Sequence, residues 1–549
     1  MERIVVVDAN ARGKGVRYST LDVIGIGPRI ITSLLRAYGV DATLIPYEHA
    51  ISTPSLIGQY DVLAISFMIS DLEAVRKLIA MWKKRNGGPI LLGGPGTLHP
   101  QIDLLDYDVA IIGEAEIPLI TILQRYHGIK QFIESCSESD IDLPLGVKVK
   151  KRTTSTSTLA PWAPRTIIDR IKTSIPDICN YPFYWASRVY VEVVRGCSNF
   201  YRATFTNSVK CLGCGRCRKA PLSHRIACPV NIPPGCGYCN VPLLHGPPRS
   251  RNPDIIVSEV QELISLGITR IVLSAPDFLD YGRDLLVAPE PLTDPREPPP
   301  NIDYIEKLLD RVTSIDEVRE GIAAISIENV KPCLVNEYVA EVLGRYLKGS
   351  VVYIGLESGS NELLHRVGRA STVEDALRAI ELLKRHGLRP YVYLMHGLPS
   401  ETEDDIAKTI NLIDSLVKLG VEHIILYRFR PLPRSAFEAF KAPPPAIARK
   451  STYELYIRVK EFNMSRKAEL LNKVVRVVIA CKHPKRRGYL VAYPLYHGPV
   501  VLIRASTTFI GAIADAKIVN VINDRLVEGK ILYVRRRVRV RLARNSDLK

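Results

Sequence analysis

Short apolar runs alternate with amphipathic stretches along the first 125 residues. Arg3–Val7, Asp41–Pro46, Tyr60–Ser66, Pro89–Leu92 and Tyr107–Ile112 read as strands, and Ile26–Tyr38 and Leu72–Arg85 as helices between them. Strands that are apolar on both faces belong to parallel sheets covered on two sides. The alternation therefore predicts an α/β fold with a doubly wound sheet in residues 1–125. Its binding edge lies at the C-terminal ends of the strands, where the sequence places Ser66, Gly93 and Gly94.

Residues 126–185, with the run Thr153–Thr158 and several prolines, read as an irregular linker. Strands then return at Val191–Val194, Ile271–Ser274, Ile322–Ile327, Val351–Leu356, Arg389–Leu394 and His423–Tyr427, with helices such as Val373–His386 and Glu403–Leu419 among them. Residues 186–440 are thus predicted to form a partial or closed parallel β/α barrel with its chemistry at the strand C-termini. After Lys441–Pro445 the pattern changes again. A helix over Thr452–Lys467 leads into Lys473–Ala480, Tyr489–Tyr493, Val500–Ser506, Ala514–Ile522 and Leu532–Leu542. Five short strands predict a small antiparallel β-barrel within residues 441–549.

Composition changes the picture in one respect. Hydrophobic residues at 46% and charged residues at 24% are ordinary for a globular protein, and no run reaches the ~18–20 apolar residues of a membrane helix. Met1–Asp8 reads as a buried strand and not as a targeting peptide, so cytoplasm is expected. The net charge of +17 favours a polyanionic partner; a thermophile's Lys- and Arg-rich surface is the bland alternative. Arg535, Arg537, Arg539 and Arg541 alternate with apolar or basic neighbours and would form one basic face of a strand, and Lys485, Arg486 and Arg487 add a second cluster. An edge strand guarded by charge would look the same.

The chemistry is concentrated in the cysteines. Seven of the 11 lie between Cys197 and Cys239, and Cys136, Cys179, Cys333 and Cys481 are scattered. Cys236-Gly-Tyr238-Cys239, with Arg195-Gly-Cys197 upstream, offers three thiolates after a strand. Such a set can hold three irons of a [4Fe-4S] cluster and leave the fourth open. The segment resembles the cluster loop of the radical S-adenosylmethionine (radical SAM) superfamily, with Tyr238 as its aromatic residue. That resemblance implies S-adenosylmethionine (SAM) on the open iron, a 5′-deoxyadenosyl radical as the reactive species, and an electron donor such as ferredoxin or flavodoxin. The usual loop, however, has three residues between its first two cysteines, and here 38 intervene.

Within this insertion, residues 198–235, stand Cys211, Cys214, Cys217 and then Cys228-Pro229. CxxCxxC followed by Cys-Pro resembles a ferredoxin segment with a last gap of ten residues in place of three. A second [4Fe-4S] cluster or a structural zinc fits these ligands. Gly355–Ser360 and Met395–Asp405 resemble the matching strand ends of radical SAM methylthiotransferases and their cobalamin-associated relatives. By that resemblance Glu357, Ser358 and Gly359 lie at the ribose or methionine part of SAM, and Gly397 at its adenine. Arg366 and Arg369 would steady its carboxylate or be solvated helix charges. Asp277 and Tyr281 face the same mouth.

Asp61–Ser66, Gly93–Pro95 and Asp106–Glu116 resemble the cobalamin-binding, Rossmann-like domains that precede radical SAM domains. Asn10 stands where some such domains offer a histidine to cobalt, so a bound cobalamin would lack that ligand, and a domain without the cofactor is the alternative. Gly498–Arg504, Phe509–Gly511, Ala516–Ile522 and Leu526–Gly529 resemble a TRAM domain, which implies RNA. The expected function is a radical SAM enzyme acting on RNA, through methylation or methylthiolation of a tRNA base. The alternatives are a cobalamin-dependent methyltransferase for a small molecule and a non-catalytic iron–sulfur or RNA-binding scaffold.

Overall fold

A computed structural model describes residues 2–10, 12–15, 21–138, 142–150 and 158–538. The described chain divides into two compact units, one ending at Tyr190 and the other beginning at Val191.

The first unit is built on a six-stranded sheet in the order Asp41–Pro46, Arg3–Asp8, Val62–Ser66, Ile90–Gly93, Val109–Ile111, Val147–Val149. Ile4, Val5, Val6 and Val7 are at most 1% exposed, as central strands buried on both faces require. The first five strands run parallel; Val147–Val149 pairs antiparallel to Val109–Ile111. The segment expected to be an irregular linker therefore supplies the helix Ile129–Glu138 and an edge strand. A three-residue strand is too short to show periodicity in sequence. Most of the Thr/Ser run lies outside the described residues.

The second unit repeats strand and helix. Arg270–Ser274 pairs in parallel with Ala324–Ile327, and Asn329–Val330, Val351–Glu357, Arg389–His396 and His423–Arg428 form a second parallel set. Val352, Ile354 and Leu356 are buried on the helix-covered face. Tyr353, Tyr391 and His423 form one layer on the other face. Asn463, from the helix Lys450–Ala468, finishes the last strand: its side chain accepts from Ile424 N at 2.9 Å and donates to Ile424 O at 2.8 Å. The edge backbone is thereby satisfied without another strand.

Val474–Lys482, Tyr489–Pro494, Val500–Arg504, Ala512–Asn523 and Leu526–Arg537 close into a barrel. An all-antiparallel barrel was expected, but Val500–Arg504 and Leu526–Arg537 are parallel. Geometry requires it: with five strands, directions cannot alternate all the way round a closed ring. The last strand also begins six residues earlier than Leu532, and four register shifts coil it around its neighbour. This barrel sits at the N-terminal ends of the parallel strands. Arg389 donates to His497 O at 3.2 Å, Arg476 to Gly321 O at 3.2 Å, and the Arg270 guanidinium lies 5.3 Å from the Tyr493 ring centre.

Arg251 and Glu259, the latter on the helix Pro253–Ser265, form a fully buried pair at 3.0 Å. Removing one partner leaves an uncompensated buried charge. Glu259→Ala is expected to lower stability by about 3–5 kcal/mol, and Arg251→Met/Glu259→Leu by clearly less, as read by thermal denaturation.

Candidate functional site

The three cysteines of the loop come from two segments that the backbone ties together. Gly196 turns with φ +91°, and a side chain there would meet Pro247 O at 2.3 Å. Cys197 N then donates to Gly246 O at 3.0 Å, and Cys239 N to Cys236 O at 2.8 Å. Gly237 donates to Val367 O at 2.7 Å and accepts from Phe437 N at 2.9 Å, with the Phe437 ring where a Cβ would lie. Gly235 N donates to Tyr201 O at 2.8 Å, so the two ends of the insertion are joined.

Donors point at the sulfurs. Asn199 gives its backbone N–H to Cys197 Sγ at 3.5 Å and its side-chain amide to Cys236 Sγ at 3.3 Å, and Arg369 Nη1 reaches Cys236 Sγ at 3.7 Å. Burial pushes the Cys197 thiol up to about 11, with Lys331 pulling the other way. Burial and then Cys236 push Cys239 up to about 12. Neutral thiols in this setting become ligands only when metal takes the place of their protons. Among the described residues no three such side chains close round a single ion. A mononuclear zinc would draw all its sulfurs to about 2.3 Å from one centre, whereas a cubane takes one thiolate at each of several corners. The three thiols and their N–H donors fit the cluster.

Beside them lies a compact charged group. Arg369 is 3.9 Å from Glu357 Oε1 and also donates to Gly355 O. Glu357 sits at a register shift between paired strands with φ +71°. Burial raises its pKa, against Arg369 and Tyr238. The Tyr238 hydroxyl is buried close enough to act on that carboxylate yet has no hydrogen-bond geometry to any partner, and Arg369 Nε is also without one. These orphaned polar atoms, the carboxylate and the guanidinium suit a ligand carrying both an ammonium and a carboxylate.

Other expected residues have internal partners. Ser358 lies 3.2 Å, hydroxyl to hydroxyl, from Thr409, and Gly359 donates to the same hydroxyl at 2.9 Å while packing on Lys408 O. Gly397 has φ +74°, with Pro443 filling the place of a Cβ, and it donates to Glu401 at 2.6 Å. Arg366 binds Asp405 at 2.7 Å, so Arg369 alone of the two reaches the cysteines. Asp405 and Thr402 cap the helix Glu403–Lys418.

The sequence reading missed Lys331. Its ammonium donates to Ser198 Oγ at 2.8 Å, Asp277 at 2.8 Å and Asp280 at 2.7 Å, next to Cys197. Burial works against the charge, but the two carboxylates outweigh it and raise its pKa. Arg283 completes the network on Asp280 at 2.6 Å. A lone lysine after the short strand Asn329–Val330 was its one signal in the sequence.

In the insertion Cys211 and Cys214 are exposed, while Cys217 and Cys228 are half-buried. Cys228 packs in the apolar cluster that contains Phe437 and Tyr238. Arg225 pairs with Asp294, and Ser223 N donates to Glu290 at 3.2 Å, anchoring the segment.

In the first unit Asp8, Ser66 and Gly93 align at the ends of adjacent strands. Gly93 has open space where a Cβ would be, whereas Gly94 is packed against Phe67. Asn10 N donates to Asp8 at 2.9 Å. Asp8 is buried and accepts from the Tyr181 hydroxyl at 2.8 Å, so the open space of this edge is at Gly93, and no imidazole stands at position 10.

On the C-terminal barrel, Lys485, Arg486 and Arg487 are exposed on the turn after the first strand. Arg535 is tied to Asp515 at 2.6 Å, and Arg537 donates to Thr508 O at 2.7 Å. Ala505 N donates to Gly488 O, so one loop links the basic turn to Arg537. Arg539 and Arg541 lie outside the described residues.

A profile of the Radical SAM superfamily matches residues 226–413. The chain is 37% identical to protein MK0932 of Methanopyrus kandleri, covering 97% of both. It is 34% identical to MJ1620 of Methanocaldococcus jannaschii, covering 96% of this chain and 98% of that one. It is also 27% identical to a tRNA-2-methylthio-N(6)-dimethylallyladenosine synthase of Caldicellulosiruptor saccharolyticus, covering 52% of this chain and 56% of that protein. Among solved structures, the radical SAM methyltransferase TsrM of Kitasatospora setae, with cobalamin and a [4Fe-4S] cluster bound, superposes with a TM-score of 0.52 at 15% identity, over 80% of this chain and 74% of TsrM. That likeness is one of fold.

Burial pushes Glu401 up to about 7. Between about 4.5 and 7 the folded protein holds a proton there that the unfolded chain releases, so stability falls as pH rises through that window. Tm measured across it is expected to fall more steeply for the wild type than for Glu401→Gln.

Proposed function

The chain belongs to the radical SAM superfamily, and on that premise we propose that it modifies RNA, adding a methyl or methylthio group to a tRNA base. The observation that carries the proposal is the meeting of Cys197, Cys236 and Cys239 with Glu357 and Arg369 in a unit that also carries a basic β-barrel. Cys197, Cys236 and Cys239 would hold a [4Fe-4S] cluster, which when bound would supply the electron for cleaving SAM. Glu357 offers a carboxylate to an ammonium group of SAM and Arg369 a guanidinium to its carboxylate. Asn199 and Arg369 hold the sulfurs in place, and the aromatic wall of Tyr238 and Phe437 keeps water from the loop. RNA is supported by the exposed Lys485–Arg487 turn joined to Arg537, and by the tRNA-modifying relatives.

We place a second [4Fe-4S] cluster at Cys211, Cys214 and Cys217, with Cys228 as its fourth ligand. The resemblance to methylthiotransferases implies an auxiliary cluster on three cysteines of the N-terminal domain. Residues 1–125 hold no cysteine, and Cys136 lies in a helix and is 7% exposed. A closed cluster favours methylation, because it has no open iron for sulfide. The open space at Gly93 favours a second reading, in which Ser66 and Gly93 would help to hold a cobalamin that, when bound, would carry the methyl group.

Anaerobic reconstitution is expected to give about eight irons per chain. Alanine at Cys197, Cys236 and Cys239 together should leave about four and abolish reductive cleavage of SAM. Iron near four with stoichiometric zinc would assign zinc to the insertion. Nucleoside mass spectrometry of tRNA from a deletion strain tests the substrate: an unchanged nucleoside profile would remove RNA from the proposal.

A further inference from the structure

From Val193 to Pro253 the chain contains no aspartate or glutamate. Residues 198–235 alone carry Arg202, Lys210, Arg216, Arg218, Lys219 and Arg225. Two of these are spent internally, Arg225 on Asp294 and Arg218 over the Tyr201 ring at 4.2 Å, and Arg202 is buried on backbone carbonyls. Lys210, Arg216 and Lys219 are exposed and make no ion pair among the described residues. Along the chain they flank Cys211 and Cys214, both exposed, and Leu212, which is 66% exposed. An exposed leucine flanked by unspent cations has the composition of a protein interface, with an apolar centre and a polar rim. A surface for single-stranded RNA would present aromatic rings for stacking, and the insertion presents none: Phe200 and Tyr201 are buried and Phe205 packs on Phe437.

The segment is also wired inward. Its last cysteine, Cys228, packs in the same apolar cluster as Tyr238, which stands between Cys236 and Cys239. Packed protein thus runs from Cys228, the last cysteine of the insertion, to the loop that carries Cys236 and Cys239.

We propose that the face formed by Lys210, Leu212, Arg216 and Lys219 is the docking surface for a small acidic one-electron carrier protein. The inference rests on the radical SAM reading of the site. One electron would leave the reduced iron–sulfur or flavin centre of the carrier and pass to a [4Fe-4S] cluster held by Cys197, Cys236 and Cys239. The carrier is oxidised by one electron, the cluster is reduced by one, and no bond is made or broken. Complementary charge at such a face raises the rate of productive encounter and makes it fall with salt.

The test uses the full-length reconstituted protein and an acidic [2Fe-2S] ferredoxin reduced photochemically, with cluster reduction followed by stopped-flow absorbance. The triple variant Lys210→Glu/Arg216→Glu/Lys219→Glu is compared at matched iron content. At low salt its reduction by ferredoxin is expected to slow about tenfold or more, while reduction by dithionite proceeds at the wild-type rate. The wild-type rate with ferredoxin should itself fall steeply as salt rises. Equal ferredoxin rates in the two proteins, or a wild-type rate indifferent to salt, overturn the proposal. Weaker tRNA binding by the triple variant with unchanged ferredoxin rates overturns it in favour of RNA at this face. If dithionite fails to reduce the wild-type cluster or to drive SAM cleavage, the underlying enzymatic reading fails, and the docking surface fails with it.

Discussion

A thiol buried away from water stays protonated unless a metal replaces the proton, and the second unit holds two such thiols beside a third. Everything nearby serves to keep them together. The loop backbone is pinned from both sides at Gly237, Asn199 bridges Cys197 and Cys236, and Lys331 anchors Ser198 directly and through Asp280. Such a network costs desolvation, and it remains because it fixes where Cys197 stands. The charged set around Lys331 is balanced internally, leaving Glu357 and Arg369 as the groups with unsatisfied neighbours.

Much of the fold could be read from the chain because parallel strands buried on both faces appear as uninterrupted apolar runs. The first sheet and the strands from Val351 to Arg428 were legible for that reason. Val147–Val149 was not, since three residues carry no period, and neither was the parallel seam of the small barrel, which follows from closing an odd number of strands. At the site the cysteines stood out as thiolates after a strand, although their usual spacing is broken, and Glu357 through the resemblance of Gly355–Ser360 to radical SAM strand ends. Gly397 shows the limit: a glycine demanded by Pro443 and one demanded by a ligand look the same in sequence. Lys331 was invisible because its importance lies in Asp277 and Asp280, some 50 residues away.

The small barrel meets the parallel strands at their N-terminal ends, through Arg389, Arg476 and Arg270, whereas the cysteines gather with Glu357 at the opposite, C-terminal ends. If the barrel grips RNA, it does so at a distance from the chemistry. A partner spanning both ends must be long compared with a single nucleotide, which a folded RNA is and a small metabolite is not.

The hydrogen bond from Gly235 to Tyr201 O gives the insertion a property of its own. Its two ends are neighbours, so the segment leaves and rejoins the loop at nearly the same point. Chain-closure entropy grows only slowly with length, and a closed excursion of this kind costs the host little whether it is present or absent. The segment beyond that junction can therefore vary in length at small cost, whereas Ser198 and Asn199 at its root belong to the host loop, because they hold Cys197 and Cys236 in place.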